Sequence, residues 1–111
     1  MMNLPDEVII PRDKLTRYLL VFQPESDKSQ FLAQAGFTQE NPDALEAAIR
    51  EMVRVYPAEL DREDRYGRFY RIEGSLKGAN ERDLLVVTVW IVRTNEEGIY
   101  RFVTLKRWRK S

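Results

Sequence analysis

The chain of 111 residues holds 18 basic and 18 acidic side chains, with 43% hydrophobic and 32% charged residues. This is the profile of one globular domain with a heavily charged surface, and it excludes a disordered segment. Cysteine and histidine are both absent, which excludes disulfides, thiolate metal sites and cysteine nucleophiles and removes the usual acid–base group near neutral pH.

The opening "MMNLPDEVIIPRDK" lacks a basic region followed by a long apolar stretch, so it does not read as a signal peptide. "IPRDKLTRYLL" opens on Pro11 and sets Leu15, Tyr18 and Leu19 on one helical face. "ESDKSQFLAQAGF" predicts a second helix, with Ser26 or Asp27 as N-cap and Gly36 as the C-terminal glycine. "NPDALEAAIREMVRVY" predicts a third. Asn41 can cap it, Pro42 fits the first turn, and Asp43 and Glu46 complement its positive end. Leu45, Ala48, Ile49, Met52 and Val53 form its apolar stripe, and Pro57 ends it.

The second half reads as strands. "AELDREDRYGRFYRIEG" predicts a charged hairpin turning near Tyr66 and Gly67, and "GSLKGANER" a plain loop. "LLVVTVWIVR" is β-branched and aromatic on both faces, as a central strand requires. Its apolar run, Leu84 to Val92, is nine residues long, far short of a membrane span. "NEEG" predicts a turn and "IYRFVTLKRW" a final alternating strand. The expected fold is α+β over residues 1–111 as a single domain, with N-terminal helices packed on one face of a four-stranded antiparallel sheet. A soluble cytoplasmic protein with no membrane contact is the expectation.

The candidate chemistry is sparse. Asp61, Glu63 and Asp64 cluster, but Arg62, Arg65 and Arg68 beside them predict an ion-paired edge hairpin and no metal site. The five glycines form no phosphate-binding pattern. Trp90 reads as core. The last fourteen residues carry five Lys or Arg and no acid. There Lys106, Arg107, Trp108 and Arg109 could stack on and neutralise single-stranded RNA, or could simply keep the end soluble. Strict alternation in the last strand places Tyr100, Phe102, Thr104 and Lys106 on one face and Arg101, Val103, Leu105 and Arg107 on the other. It separates Arg101 from Thr104 unless a bulge intervenes. The balanced charge, with pI near 6.3, also suits an interaction domain with no polyanion role.

Five stretches in order, "IPRDKLTRYLL", "SDKSQFLAQAGFTQENPDALEAAI", "DRYGRFYRIEGSLKGAN", "VVTVWIV" and "RFVTL", span residues 10–105. Together they resemble an uncharacterised bacterial domain family, frequent in cyanobacteria and also found as a C-terminal toxin module of large proteins. That family is similar to the barnase–EndoU–colicin–RelE-like group of small metal-independent ribonucleases. The resemblance implies helices followed by a four-stranded sheet. It also implies a site with Lys28 ahead of the second helix, Gly67 and Tyr70 in the hairpin, and Arg101 and Thr104 in the last strand. By that implication Lys28 and Arg101 hold the scissile phosphate, and Thr104 or Tyr70 positions it or shares a proton. Where relatives carry a histidine–proline pair and a late tyrosine, this chain reads "QPESDK" and "TLKRW". The function so implied is a toxin-like ribonuclease of a toxin–antitoxin type system, using no cofactor and no metal. Its partners would be an RNA substrate and a small antitoxin or immunity protein. The alternative is a non-catalytic RNA- or protein-binding module on the same fold.

Overall fold

The computed structural model describes residues 2–21 and 28–108. A short helix α1 (Arg12–Lys14) runs into a π-helical turn (Leu15–Leu19), followed by α2 (Lys28–Ala33) and α3 (Pro42–Val55). Strands β1 (Glu59–Asp64), β2 (Gly67–Leu76), β3 (Leu84–Arg93) and β4 (Arg101–Arg107) follow. They form one antiparallel sheet in the order β1-β2-β3-β4. This is the α+β arrangement expected from the pattern.

The first helix is not a regular α-helix. The Leu20 amide reaches the Leu15 carbonyl at 3.0 Å, one residue further than an α-turn allows. Leu15 and Leu19 are still fully buried, so the wide turn keeps its apolar pair on the core. The predicted caps Ser26 and Asp27 lie outside the described residues. At the other end of α2, Gly36 takes a φ of 85°. There the Phe37 amide bonds Leu32 O at 3.2 Å and the Gly36 amide bonds Ala33 O at 3.0 Å, a Schellman closure.

Asn41 stands ahead of α3, but its side chain does not cap the helix. It turns back, accepting from the Thr38 amide at 2.7 Å and donating to Gly36 O at 2.9 Å. The helix is held instead by its apolar stripe: Leu45, Ile49, Met52 and Val53 are buried. Burial of such side chains stabilises by roughly 1.5–3 kcal/mol each.

One face of the sheet meets the helices through Ile72, Leu76, Leu84, Val86 and Trp90. Trp90 is fully buried, its indole N–H donates to Thr88 Oγ1 at 2.9 Å, and its ring meets Phe102 edge-on at 5.4 Å. The β1–β2 hairpin turns at Arg65 and Tyr66. Gly67 has a φ of 150°, and a Cβ there would run into the Val92 carbonyl of β3, so only glycine fits this register. The "GSL" of the predicted loop is the end of β2.

Two features were not expected from the pattern. The N-terminal segment is tied down: Ile9 bridges β4, with Ile9 N to Tyr100 O at 2.9 Å and Phe102 N to Ile9 O at 2.8 Å, while Met2 bridges Ala58. And β4 is bulged. Phe102 pairs with Trp90 and Thr104 with Val89, leaving Val103 without a partner in β3. The strict alternation is therefore wrong for β4. Phe102 and Leu105 are both buried core residues. Arg101 and Thr104 pair with Ile91 and Val89, two residues apart on β3 and so on one face.

Candidate functional site

Three elements meet at the β4 edge. The π-helical turn supplies Tyr18, α2 supplies Lys28 as its first residue, and β4 supplies Thr104 just past the bulge. The Lys28 ammonium donates to Tyr18 Oη and to Thr104 Oγ1, both at 2.9 Å. The two hydroxyls are themselves 3.3 Å apart, either one able to donate. An ammonium has three N–H donors, so one remains free for an incoming oxygen.

All three residues are half-buried. The Tyr18 ring also lies near two cations, Lys28 at 4.9 Å and Lys14 at 5.8 Å from its centroid. The hydrogen bond from Lys28 is the main reason the Tyr18 phenol is held below its ordinary pKa. The bond with Thr104 and the charges of Lys28 and Lys14 act the same way, and partial burial opposes them. Once ionised, a phenol held in this way can accept a proton and pass it on.

The other residues of interest are placed elsewhere. Arg101 is clasped by Glu96 through two bonds, Nε to Oε1 at 3.0 Å and Nη2 to Oε2 at 3.1 Å. That pairing pulls the Glu96 carboxyl below its usual range. Tyr70 stands on β2, in the row Tyr70–Trp90–Phe102, two strands away from β4. Its ring packs edge-on against Tyr100 at 5.5 Å. Burial, and then Tyr70, push the Tyr100 phenol up. Arg68 of β2 is paired with Glu97. So Lys28 and Thr104 come together, joined by Tyr18, while Arg101 and Tyr70 have other partners. Tyr18 was legible only as part of an apolar helical face. No spacing rule marks it, because its role comes from the tertiary placement of Lys28 beside its hydroxyl.

Lys106 and Arg107 are exposed at the end of β4, Trp108 is half-buried just beyond, and Arg109 lies outside the described residues. The Arg107 guanidinium lies 4.7 Å from the centroid of the Phe31 ring of α2. The expected hairpin ion pairs form with different partners. Arg71, and not Arg62, Arg65 or Arg68, bridges β1, reaching Glu59 at 3.4 Å and Asp61 at 3.6 Å. Arg62 pairs with Asp64 at 3.3 Å and stacks over Phe69, and Arg65 lies over Tyr66.

Most arginines outside the β4 edge are within ion-pair reach of a carboxylate. Among the described residues, Lys14, Arg17, Lys28, Arg65, Lys77, Arg82, Lys106 and Arg107 form no such pair. Nor do the described residues contain a group of three His, Cys, Asp or Glu side chains able to hold a metal ion. None of their helices is long and apolar enough to cross a membrane.

In fold the protein is similar to a chain in the structure of a contact-dependent growth inhibition toxin–immunity protein complex from Klebsiella pneumoniae 342. The TM-score is 0.66 at 13% identity, covering 94% of this chain and 96% of that one. At this identity the likeness is one of fold. None of the curated proteins matches the sequence. The profile of a domain of unknown function, DUF6883, matches residues 2–107, and the chain belongs to that family.

Proposed function

We propose that the protein is a toxin domain that cleaves RNA without a metal ion, and that a small antitoxin or immunity protein restrains it. The observation that carries the reading is the contact of Lys28 with both Tyr18 and Thr104. The fold shared with a chain of a toxin–immunity complex supports the partner.

The chemistry follows from the groups present. Ionised Tyr18 takes the proton of a ribose 2′-hydroxyl. The O2′–P bond forms, the P–O5′ bond breaks, and the leaving 5′-oxygen takes a proton from the Lys28 ammonium or from water. Lys28 neutralises the charge that builds on the phosphoryl oxygens, through the N–H it has free. Thr104 fixes the Lys28–Tyr18 geometry. Arg101, on the same sheet face as Thr104, would add a second phosphate contact on releasing Glu96. Action on RNA places the activity in the cytoplasm of the cell that is attacked or regulated.

The test is incubation of the purified protein with tRNA and total RNA in the presence of a chelator. Cleavage leaving 2′,3′-cyclic phosphate ends is expected, and a folded Lys28→Met variant should be inactive. Intact RNA under a range of conditions would overturn the enzymatic reading. The balanced charge and the neutralised Arg101 favour a second reading, a non-catalytic binding module. It predicts salt-dependent association with no product.

A further inference from the structure

Three of the described cations that form no ion pair, Lys28, Lys106 and Arg107, stand on α2 and β4, and the Arg107 guanidinium lies over the Phe31 ring of α2. Phe31 comes three residues after Lys28, which places the two on one face of α2. Arg107 comes three residues after Thr104 on β4. The Lys28–Thr104 contact is therefore followed by a second one, Arg107 over Phe31. Three residues advance about 4.5 Å along a helix and about 10 Å along a strand. The second contact thus lies on the scale of one nucleotide from the first.

The two contacts differ in chemistry. The first is hydroxyl and ammonium, suited to a phosphate. The second is a ring face under a planar cation, suited to a flat, uncharged group. Phe31 is half-buried against the core, which holds its ring rigid, whereas Arg107 is exposed. A guanidinium can lift and reseat over an inserted plane, since Arg stacks on bases as it does on aromatic rings.

We propose that Phe31 and Arg107 form a subsite for one unpaired nucleobase, next to the phosphate held at Lys28. The base enters between ring and guanidinium, and the contact reads base planarity and not base identity, because every base has a π-face. The ligand class is single-stranded RNA. This inference rests on the reading of the Lys28 cluster as a phosphate site, and the experiment separates the two.

The probe is a short single-stranded RNA made uncleavable by 2′-O-methyl groups, beside an abasic oligonucleotide with the same phosphates. Phe31→Leu keeps the apolar bulk and removes the π-face. It should weaken the base-bearing probe about fivefold to 150-fold, the range for one base on one ring, and leave the abasic probe unchanged. Phe31→Tyr, which restores a ring, should restore the affinity. Arg107→Gln should weaken both probes and reduce the salt slope by about one. Equal loss on both probes with Phe31→Leu, no loss on either, or no binding by the wild-type protein would each overturn the subsite. Base-dependent binding without RNA cleavage would sink the ribonuclease reading and leave the subsite standing. Cleavage that is indifferent to Phe31→Leu, with both probes bound alike, would do the reverse.

Discussion

Tyr18→Phe removes a single oxygen from the centre of the cluster. It deletes the 2.9 Å bond from Lys28 and the 3.3 Å contact with Thr104 and leaves the ring in place. Depriving a buried ammonium of one partner costs about 1.5–3 kcal/mol, but Lys28 is half-exposed and keeps its bond to Thr104. The stability loss should therefore be near 1 kcal/mol or less, a shift in Tm of about 4–8 °C at most. The catalytic loss should be far larger, since a general base contributes about a hundredfold to ten-thousandfold. The assay pairs an initial cleavage rate with thermal unfolding of the same preparation. Absorbance titration of tyrosinate adds an independent readout. One tyrosine of the wild-type protein should ionise below the ordinary value of about 10, and that step should be missing from the variant. Ionised Tyr18 is favoured in the folded state. Its titration therefore adds stability above the unfolded value, and that contribution is lost as pH falls through the folded one. A variant that cleaves within a few-fold of wild type, or that loses activity only in proportion to unfolding, would refute the assignment of Tyr18 as base.

Four further outcomes are expected. Thr104→Val should leave the fold intact, return the Tyr18 titration toward the ordinary tyrosine value and lower the rate by about tenfold or more, read from the same titration and rate assay. Glu96→Gln should free Arg101 and lower the KM for RNA. Because Arg101 depresses the Glu96 pKa, the pair stabilises the wild-type fold above the ordinary carboxyl value, and this advantage over the variant should vanish as pH falls through the folded value in acid unfolding curves. Trp90→Ala should cost about 3–5 kcal/mol in denaturant unfolding, since it empties the largest core site and strips the Thr88 hydroxyl of its donor. Gly67→Ala should destabilise the β1–β2 hairpin, because its Cβ would displace the Val92 carbonyl of β3. Hydrogen exchange of the β2 and β3 amides reads the effect.

The fold was legible where local pattern and burial agree. The α3 stripe, the β-branched run of β3 and the turn at Gly67 each place residues where the structure has them. Legibility fails where tertiary contacts override pattern. Val103 sits in a clean alternation, and only the joint burial of Phe102 and Leu105 reveals the bulge that brings Arg101 and Thr104 to one face. Asn41 carries an N-cap signature, yet its amide bonds back to Gly36, since the loop offers it partners the helix end does not. "NLPDEVII" has no strand period, so its pairing with β4 is set by the partner and not by itself. Of the candidate site, Lys28 and Thr104 were marked by family resemblance alone. Tyr18 was hidden in the apolar face it shares with Leu15 and Leu19. The Arg101–Glu96 clasp closes across a turn, where no helix or strand spacing predicts it.

The decisive comparison uses purified folded protein and single-stranded RNA in the presence of a chelator. The wild-type chain should release fragments with 2′,3′-cyclic phosphate ends, and Lys28→Met, equally folded by circular dichroism, should release none. Cleavage that persists in Lys28→Met, or RNA left whole by the wild-type protein, would contradict the central claim that the Lys28 cluster is the site of an RNA-cleaving toxin.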